Sequence, residues 1–158
     1  MLKAKIIFSE VDLTNKNAND SMRRVLDDGL TKLAQELTSI GYCELGHAVI
    51  TQGESKDHSH TIFIPVVNTL NPEDKMDLAL FHKAVRAALT LAKLYGVKDL
   101  VVEIPSWNQE KTVYKMPSFG ISVKKAIPAP LDISSIKNVF NSVLKEYPGI
   151  LVITECLP

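Results

Sequence analysis

Apolar positions along the chain fall into short runs and helical repeats, and the clearest stretch lies between His60 and Trp107. HTIFIPVV (His60–Val67) is β-branched and nearly all apolar, which predicts a strand buried on both faces. Asn71-Pro72-Glu73-Asp74 predicts a helix start: a side-chain acceptor at the N-cap, proline in the first helical position, then two acids in the positive first turn. The helix continues through LALFHKAVRAALTLAKLY, with Leu78, Phe81, Val85, Ala88, Leu89 and Ala92 on one face and Gly96 as a left-handed cap. LVVEI (Leu100–Ile104) is a second buried strand. Parallel strands joined by a helix cross over right-handed and finish at the same edge of the sheet. Open α/β sheets bind ligands beyond that edge, so Val67–Leu70 and Pro105–Tyr114 are the segments to question.

Upstream, KAKIIFSEV (Lys3–Val11) predicts the first strand, and the polar Asp12–Ser21 segment a loop of turn-forming residues. Asp20 or Ser21 can cap a following amphipathic helix, marked by Met22, Val25, Leu26, Leu30, Leu33, Leu37 and Ile40 and stopped by Gly41. His47–Thr51 is a compact strand between Gly46 and Gly53. Downstream of Trp107 the pattern loosens, with a short helix expected at Val123–Ala126. Ile136, Val139, Phe140, Val143, Leu144 and Tyr147 mark a final helix, entered through Asp132 or Ser134 and ended by Pro148-Gly149. ILVIT (Ile150–Thr154) reads as a last buried strand. The order predicts an α/β fold: a mixed, mostly parallel sheet with helices on both faces, a three-layer α/β/α sandwich.

A length of 158 residues is that of one domain with a genuine layered core. Eighteen basic and eighteen acidic residues cancel without a basic block, which argues against nucleic-acid binding. No run is long and apolar enough to cross a bilayer, and MLKAKIIFSE becomes charged too soon for a signal peptide. Cys43 and Cys156, far apart in sequence, suit a reduced compartment better than a disulfide scaffold. The expectation is a cytoplasmic protein with no membrane partner.

The candidate chemistry is sparse. His58 and His60 point the same way on an extended segment and could be half of a metal site, but no further Cys or His cluster completes it; no metal and no cofactor is expected. His47 and His82 read as structural or surface residues. There is no G-x-S-x-G elbow, no P-loop and no G-x-G-x-x-G, and seven glycines leave little scope for phosphate-cradling backbone. The edge segments remain. Ser106, Trp107 and Asn108 follow a buried strand, where the indole either holds a base or sugar or plugs a hydrophobic gap. Asn15, Asn17, Asn19 and Asp20 follow the first strand, as ligand groups or as a plain turn and cap.

Several segments, in order and with compatible gaps, resemble the macrodomain family of ADP-ribose-binding α/β modules. GYCELGHAVITQG (Gly41–Gly53) is similar to the family's glycine, cysteine, glycine, A-x-I-T, glycine segment, and Gly29, Leu33 and Glu36 fall like its A-G-x-x-L-x-x-E helix. HTIFIPV resembles its short strand before a ligand loop, and AVRAALTLAKLYGVKDLVVEIPS its long helix and the strand entering the second loop. TVYKMP (Thr112–Pro117) is similar to that loop's ending. The resemblance spans nearly the whole chain.

The departures fall on the ligand loops. The family's asparagine-rich segment corresponds to Phe8-Ser9-Glu10-Val11, its glycine-rich loop to Lys16–Asp20, and its second phosphate loop to Ser106–Thr112. Glycine lets backbone amides approach phosphate without an intervening Cβ, and Glu10 or Glu110 would repel a diphosphate. The resemblance implies a divergent binder of ADP-ribose or a related nucleotide, with possible hydrolysis of ADP-ribosyl bonds. In it Asn17, Asn19 and Asp20 meet the distal ribose or a water, Ser106 and Thr112 donate to phosphate, Trp107 or Tyr114 stacks on a sugar or base, and Asp20 or Glu10 is the general base of any hydrolysis. The alternative is a degenerate fold that has lost the nucleotide and acts as a protein interaction or assembly module, with Met116–Leu131 as a contact surface.

Overall fold

The computed structural model describes residues 2–54, 56–106, 110–116, 121–126 and 130–156, with the backbone alone for 110–116 and 121–126. The elements in chain order are β1 (Leu2–Glu10), α1 (Asp20–Leu26), α2 (Lys32–Ile40), β2 (Val49–Gln52), β3 (His60–Val67), α3 (Leu78–Leu94), β4 (Val97–Ile104), β5 (Glu110–Met116), β6 (Ile121–Ala126), α4 (Ile133–Leu144) and β7 (Leu151–Cys156). Five strands form one sheet in the order β2-β3-β1-β4-β7. β3, β4 and β7 run parallel to β1 or to its parallel neighbour, and only β2 is antiparallel. The expected mixed, mostly parallel sheet between helical layers is what the chain forms.

Strand alternation assigns each face its own core. Ala4, Ile6 and Phe8 of β1 point with Ile62, Ile64, Val66, Leu100 and Val102 toward α3 and α4, where Phe81, Val85, Leu89, Val139 and Phe140 close the larger core. Ile7 and Phe63 point the other way, into a smaller core with Leu13, Met22, Val25, Leu33 and Leu37 under α1 and α2. Because β1 lies between β3 and β4, the α3 crossover passes over it, and all four parallel strands end at one edge.

Five expectations are corrected. The single helix over Met22–Ile40 is two, because Asp27-Asp28-Gly29 breaks it: Asp28 Oδ1 accepts from Leu30 N at 3.0 Å, and Thr31 caps α2 through Ala34 N. Leu30, which fits the helical period, is left 84 % exposed. Asn71-Pro72-Glu73-Asp74 is a turn, Asp74 N donating to Asn71 O, and α3 begins later with Asp77 as its cap, so Leu78 is exposed rather than on the apolar face. Pro105–Tyr114 is not one loop, since β5 starts at Glu110; Val123–Ala126 is not helical but belongs to β6, antiparallel to β5. The last strand is not buried: β7 is an edge strand with Leu151 and Ile153 facing solvent. A run of apolar residues fixes a strand, but not whether a helix covers it.

Candidate functional site

The carboxyl edge of the parallel strands gathers the polar segments. From β1 the chain leaves through Glu10 into the 11–19 loop, from β3 through Asn68 and Thr69, and from β4 through Pro105 and Ser106. The β1 loop is fixed along its length. Val11 N donates to Val67 O at 2.9 Å, Cys43 N to Val11 O at 3.0 Å, and Leu13 N to Gly41 O at 3.0 Å. Asp12 and Asn15 then make side-chain turns, Asp12 Oδ1 accepting from Thr14 N and Asn15 Oδ1 from Asn17 N.

Glu10 is the unexpected centre of this edge. It is 1 % exposed and follows a register shift in the β1–β3 pairing. Its carboxylate accepts from Asn15 Nδ2 and from Thr69 Oγ1, clamping the β1 loop to the β3 loop. Beside it, Asn68 Nδ2 donates to Asp74 Oδ2 at 3.1 Å while its Oδ1 accepts from Asn71 N at 2.9 Å. A buried carboxylate needs such donors, because an unsatisfied one is costly.

The other expected residues divide clearly. Asn19 is fully buried: its Nδ2 donates to Phe8 O at 2.8 Å, and its Oδ1 caps α1 by accepting from Met22 N at 2.9 Å. Asn17 and Asp20 are exposed, Asp20 as the first residue of α1. Ser106 is half-buried just beyond β4. Trp107 lies outside the described residues, and the backbone of Thr112 and Tyr114 runs in β5 opposite Lys124 and Val123, their side chains being outside the description. Asn17, Asp20 and Ser106 therefore share one rim, since β1 and β4 are parallel neighbours. Sequence reasoning marked Val67–Leu70 as an edge segment but gave Asn68 and Thr69 no role; their only signal was position directly after a buried strand.

The buried carboxylate Glu103 near the rim is internally paired. Arg24 holds the buried Glu103, near the end of β4, through Nη1 at 2.5 Å and Nη2 at 2.7 Å, and also Glu54 through Nε at 3.1 Å. The bond to Glu103 is the largest cause of the upward shift in the Arg24 pKa, opposed in part by burial and assisted by Glu54. Arg24 is thus engaged by carboxylates rather than offered to a phosphate. On the apolar side a crevice of about 10 Å³ between Phe8, Val66, Pro130, Leu131 and Ile136 has room for at most one water. A larger pocket of about 160 Å³, lined by Lys93, Lys98, Tyr147 and Gly149 among others, opens at the opposite edge.

No protein-family model matches the sequence, and no curated protein matches it. Solved structures do match in fold. The Mycobacterium tuberculosis DarG macrodomain superposes with a TM-score of 0.60 at 12% identity, covering 98% of this chain and 88% of its own. The Trypanosoma brucei macrodomain in complex with ADP-ribose gives 0.65 at 15%, covering 99% and 59%. The macro domain of ganglioside induced differentiation associated protein 2 gives 0.62 at 15%, covering 97% and 69%. This is the macrodomain fold.

The polar segments that leave β1 and β4 at this edge are the ones that the sequence resemblance singles out. Among the described residues no group of three or more His, Cys, Asp or Glu could hold a metal ion. His60 instead sits with Nδ1 2.9 Å from Ser59 Oγ and its ring edge-on to Tyr95. Both cysteines are free, Cys43 buried and Cys156 exposed. No helix among the described residues is long and apolar enough to cross a membrane.

Proposed function

We propose that the protein binds ADP-ribose or a related nucleotide at the carboxyl edge of the sheet, between the loop after β1 and the segment after β4. The observation that carries this reading is adjacency: β1 and β4 are parallel neighbours, so two polar segments leave the same rim. The fold it occurs in is shared with a Trypanosoma brucei macrodomain solved with ADP-ribose. In this reading the exposed Asn17 meets the distal ribose, and Asn19 holds the loop from beneath. Ser106 and Thr112 donate to phosphate, and Trp107 or Tyr114 stacks on a sugar or base.

The reading extends to hydrolysis of an ADP-ribosyl bond, with Asp20 as general base. Its carboxylate is exposed in the first turn of α1 and can take a proton from a water within hydrogen-bond reach. Glu10 ranks second, because it is buried and accepts from two side chains already. Calorimetric titration with ADP-ribose, against AMP and NAD, is expected to give saturable binding that Trp107→Ala and Asn17→Ala weaken. Asp20→Asn is expected to abolish any hydrolysis while leaving binding.

One arrangement favours the second reading, a fold without the nucleotide that serves as a protein interaction module. The Glu10 carboxylate already takes the Asn15 amide of the β1 loop and the Thr69 hydroxyl of the β3 loop, and Arg24 is neutralised by Glu103 and Glu54. An incoming diphosphate would meet buried negative charge at Glu10, with the Arg24 guanidinium already held by carboxylates. A flat titration at millimolar ADP-ribose, with the chain folded by circular dichroism, selects this reading over the first.

A further inference from the structure

The charge of this neutral chain is not spread evenly. Residues 110–126 hold four lysines and one glutamate, a net +3, so the rest of the chain carries −3. That segment is the β5–β6 ribbon, a two-stranded sheet of its own that pairs with no strand of the main sheet. The foot of the ribbon, where Glu110 faces Ala126, is tethered on both sides to the carboxyl edge. Five residues separate Ile104, the last of β4, from Glu110, a reach of at most about 22 Å. On the return, Ala126 precedes Pro130 by four positions, at most about 14 Å. Pro130 and Leu131 line the crevice with Phe8 and Val66, near the ends of β1 and β3.

Three of the four lysines occupy the two rungs next to that foot. Lys111 is directly opposite Lys125, and Thr112 is opposite Lys124. Residues directly opposite share a face, and like charges so placed destabilise a hairpin. Glu110 falls on the same face as Thr112 and Lys124, so acid and base occur together there. The face of Lys111 and Lys125 has none of the ribbon's acid. A register shift follows between Thr112 and Tyr114, an irregularity of the kind that collects beside binding sites. Beyond it the rungs are Tyr114 with Val123, Lys115 with Ser122 and Met116 with Ile121. The positive charge is concentrated at the foot, not strung along the ribbon.

We infer that Lys111 and Lys125 together seat the diphosphate of a nucleoside diphosphate bound at the carboxyl edge, an inference that rests on the nucleotide reading. A diphosphate needs donors, and a glycine-lined backbone cradle is not built here. None of the segments that leave β1, β3 and β4 at that edge (11–19, 68–77 and 105–109) contains a glycine. Arg24 is held by carboxylates. The lysine rung supplies the missing cation, and an anion shared between the two ammonium groups cancels their repulsion. A polynucleotide would be served by charge repeated along the ribbon, whereas one diphosphate is served by two ammonium groups on one rung.

Calorimetric titration of the full chain with ADP-ribose, ADP and AMP tests this. Both diphosphates should bind about tenfold or more tightly than AMP. Lys111→Ala should weaken ADP by about tenfold, and Lys111→Ala with Lys125→Ala by about a hundredfold, with circular dichroism unchanged. AMP should lose far less, so the preference for a diphosphate disappears. Lys111→Glu separates binding from folding. It sets an acid opposite Lys125, so amide exchange in β5 and β6 should slow, yet ADP binding should fall below detection. If ADP-ribose binds and the double variant binds it as well as the parent does, the inference is overturned while the nucleotide reading stands. A flat titration of the parent overturns both. A short single-stranded oligonucleotide that binds more tightly than ADP, and displaces it through the same lysines, also overturns the inference, because it assigns the ribbon to a polyanion.

Discussion

On the face under α3 and α4, three phenylalanine rings meet in series, Phe8 to Phe81 at 5.9 Å and Phe81 to Phe140 at 6.1 Å between centroids. The opposite face has a smaller apolar cluster under two short helices and, beside it, a strap of charge from Lys5 through Glu54 and Arg24 to Glu103. The contrast teaches where this protein can carry polar chemistry. The first face gets its order from packing, with Arg86–Glu146 and Thr90–Tyr147 tying α3 to the end of α4 at the surface, whereas the second is held by buried hydrogen bonds and ion pairs beside the loop leaving β1. The candidate site sits at the end of that second arrangement.

The largest effect should come from the first face. Phe81→Ala removes a fully buried ring and both aromatic pairs, and should cost about 3–5 kcal/mol in chemical denaturation. If the loss is under about 1 kcal/mol, the larger core is not the anchor described here. On the second face Arg24→Ala strands Glu103, which is 3 % exposed. The cost should be about 1–3 kcal/mol, below that of a fully buried pair because the Arg24 side chain is 40% exposed and water can enter. Adding Glu103→Gln should recover part of it; no recovery would mean the strap is not an electrostatic unit.

Smaller again is the tie between α1 and β1. Asn19→Ala removes both the cap and the bond to Phe8 O, and about 1–2 kcal/mol should be lost, with faster amide exchange in α1 than in α3. Equal protection of the two helices would break the comparison.

The smallest prediction concerns pH. Burial, helped by the nearby Glu44, pushes the Cys43 thiol up to about 11. The unfolded chain therefore loses that proton first as pH rises. The contribution of Cys43 is fully present below the ordinary thiol range near 9 and lost progressively from there up to about 11. Cys43→Ala should flatten that limb of the stability profile. A thiol reagent at neutral pH should label Cys156 at once and Cys43 slowly; two equally fast thiols would show that the second face is open.

Much of this frame could be read from residues alone. His60–Val67 matches its strand from end to end, because a β-branched run between turn-forming segments has one physical solution. Gly41 and Gly96 stop their helices at positive φ, as expected. Other features were hidden where two structures share one signature. Asparagine followed by proline and acids starts helices and also makes turns, and here Asp77 supplies the cap instead. Leu30 has the helical period, yet Asp28-Gly29 outweighs it. The apolar ILVIT segment suits a central strand or an edge equally well. The clamp at Glu10 was beyond reach, since Thr69 lies 59 positions away and only the β1–β3 pairing brings the two together. Asn15, Asn17, Asn19 and Asp20 were recognisable as a polar segment at the sheet edge it shares with the segment after β4. Which of them faces solvent depended on where α1 begins.

The middle strand of the sheet precedes both of its neighbours in the chain. On the ribosome, β1 emerges with six apolar or small residues in a row of nine and nothing to pair with, because β3 and β4 are made later. At about 5–20 residues per second, roughly 5–20 s separate the end of β1 from the end of β4. Until β3 follows, the nascent chain presents a sticky segment with two vacant sides, and one side stays vacant until β4 is made. Heterologous expression should therefore gain soluble yield from a lower growth temperature or added ribosome-associated chaperones more than from any change to the finished surface.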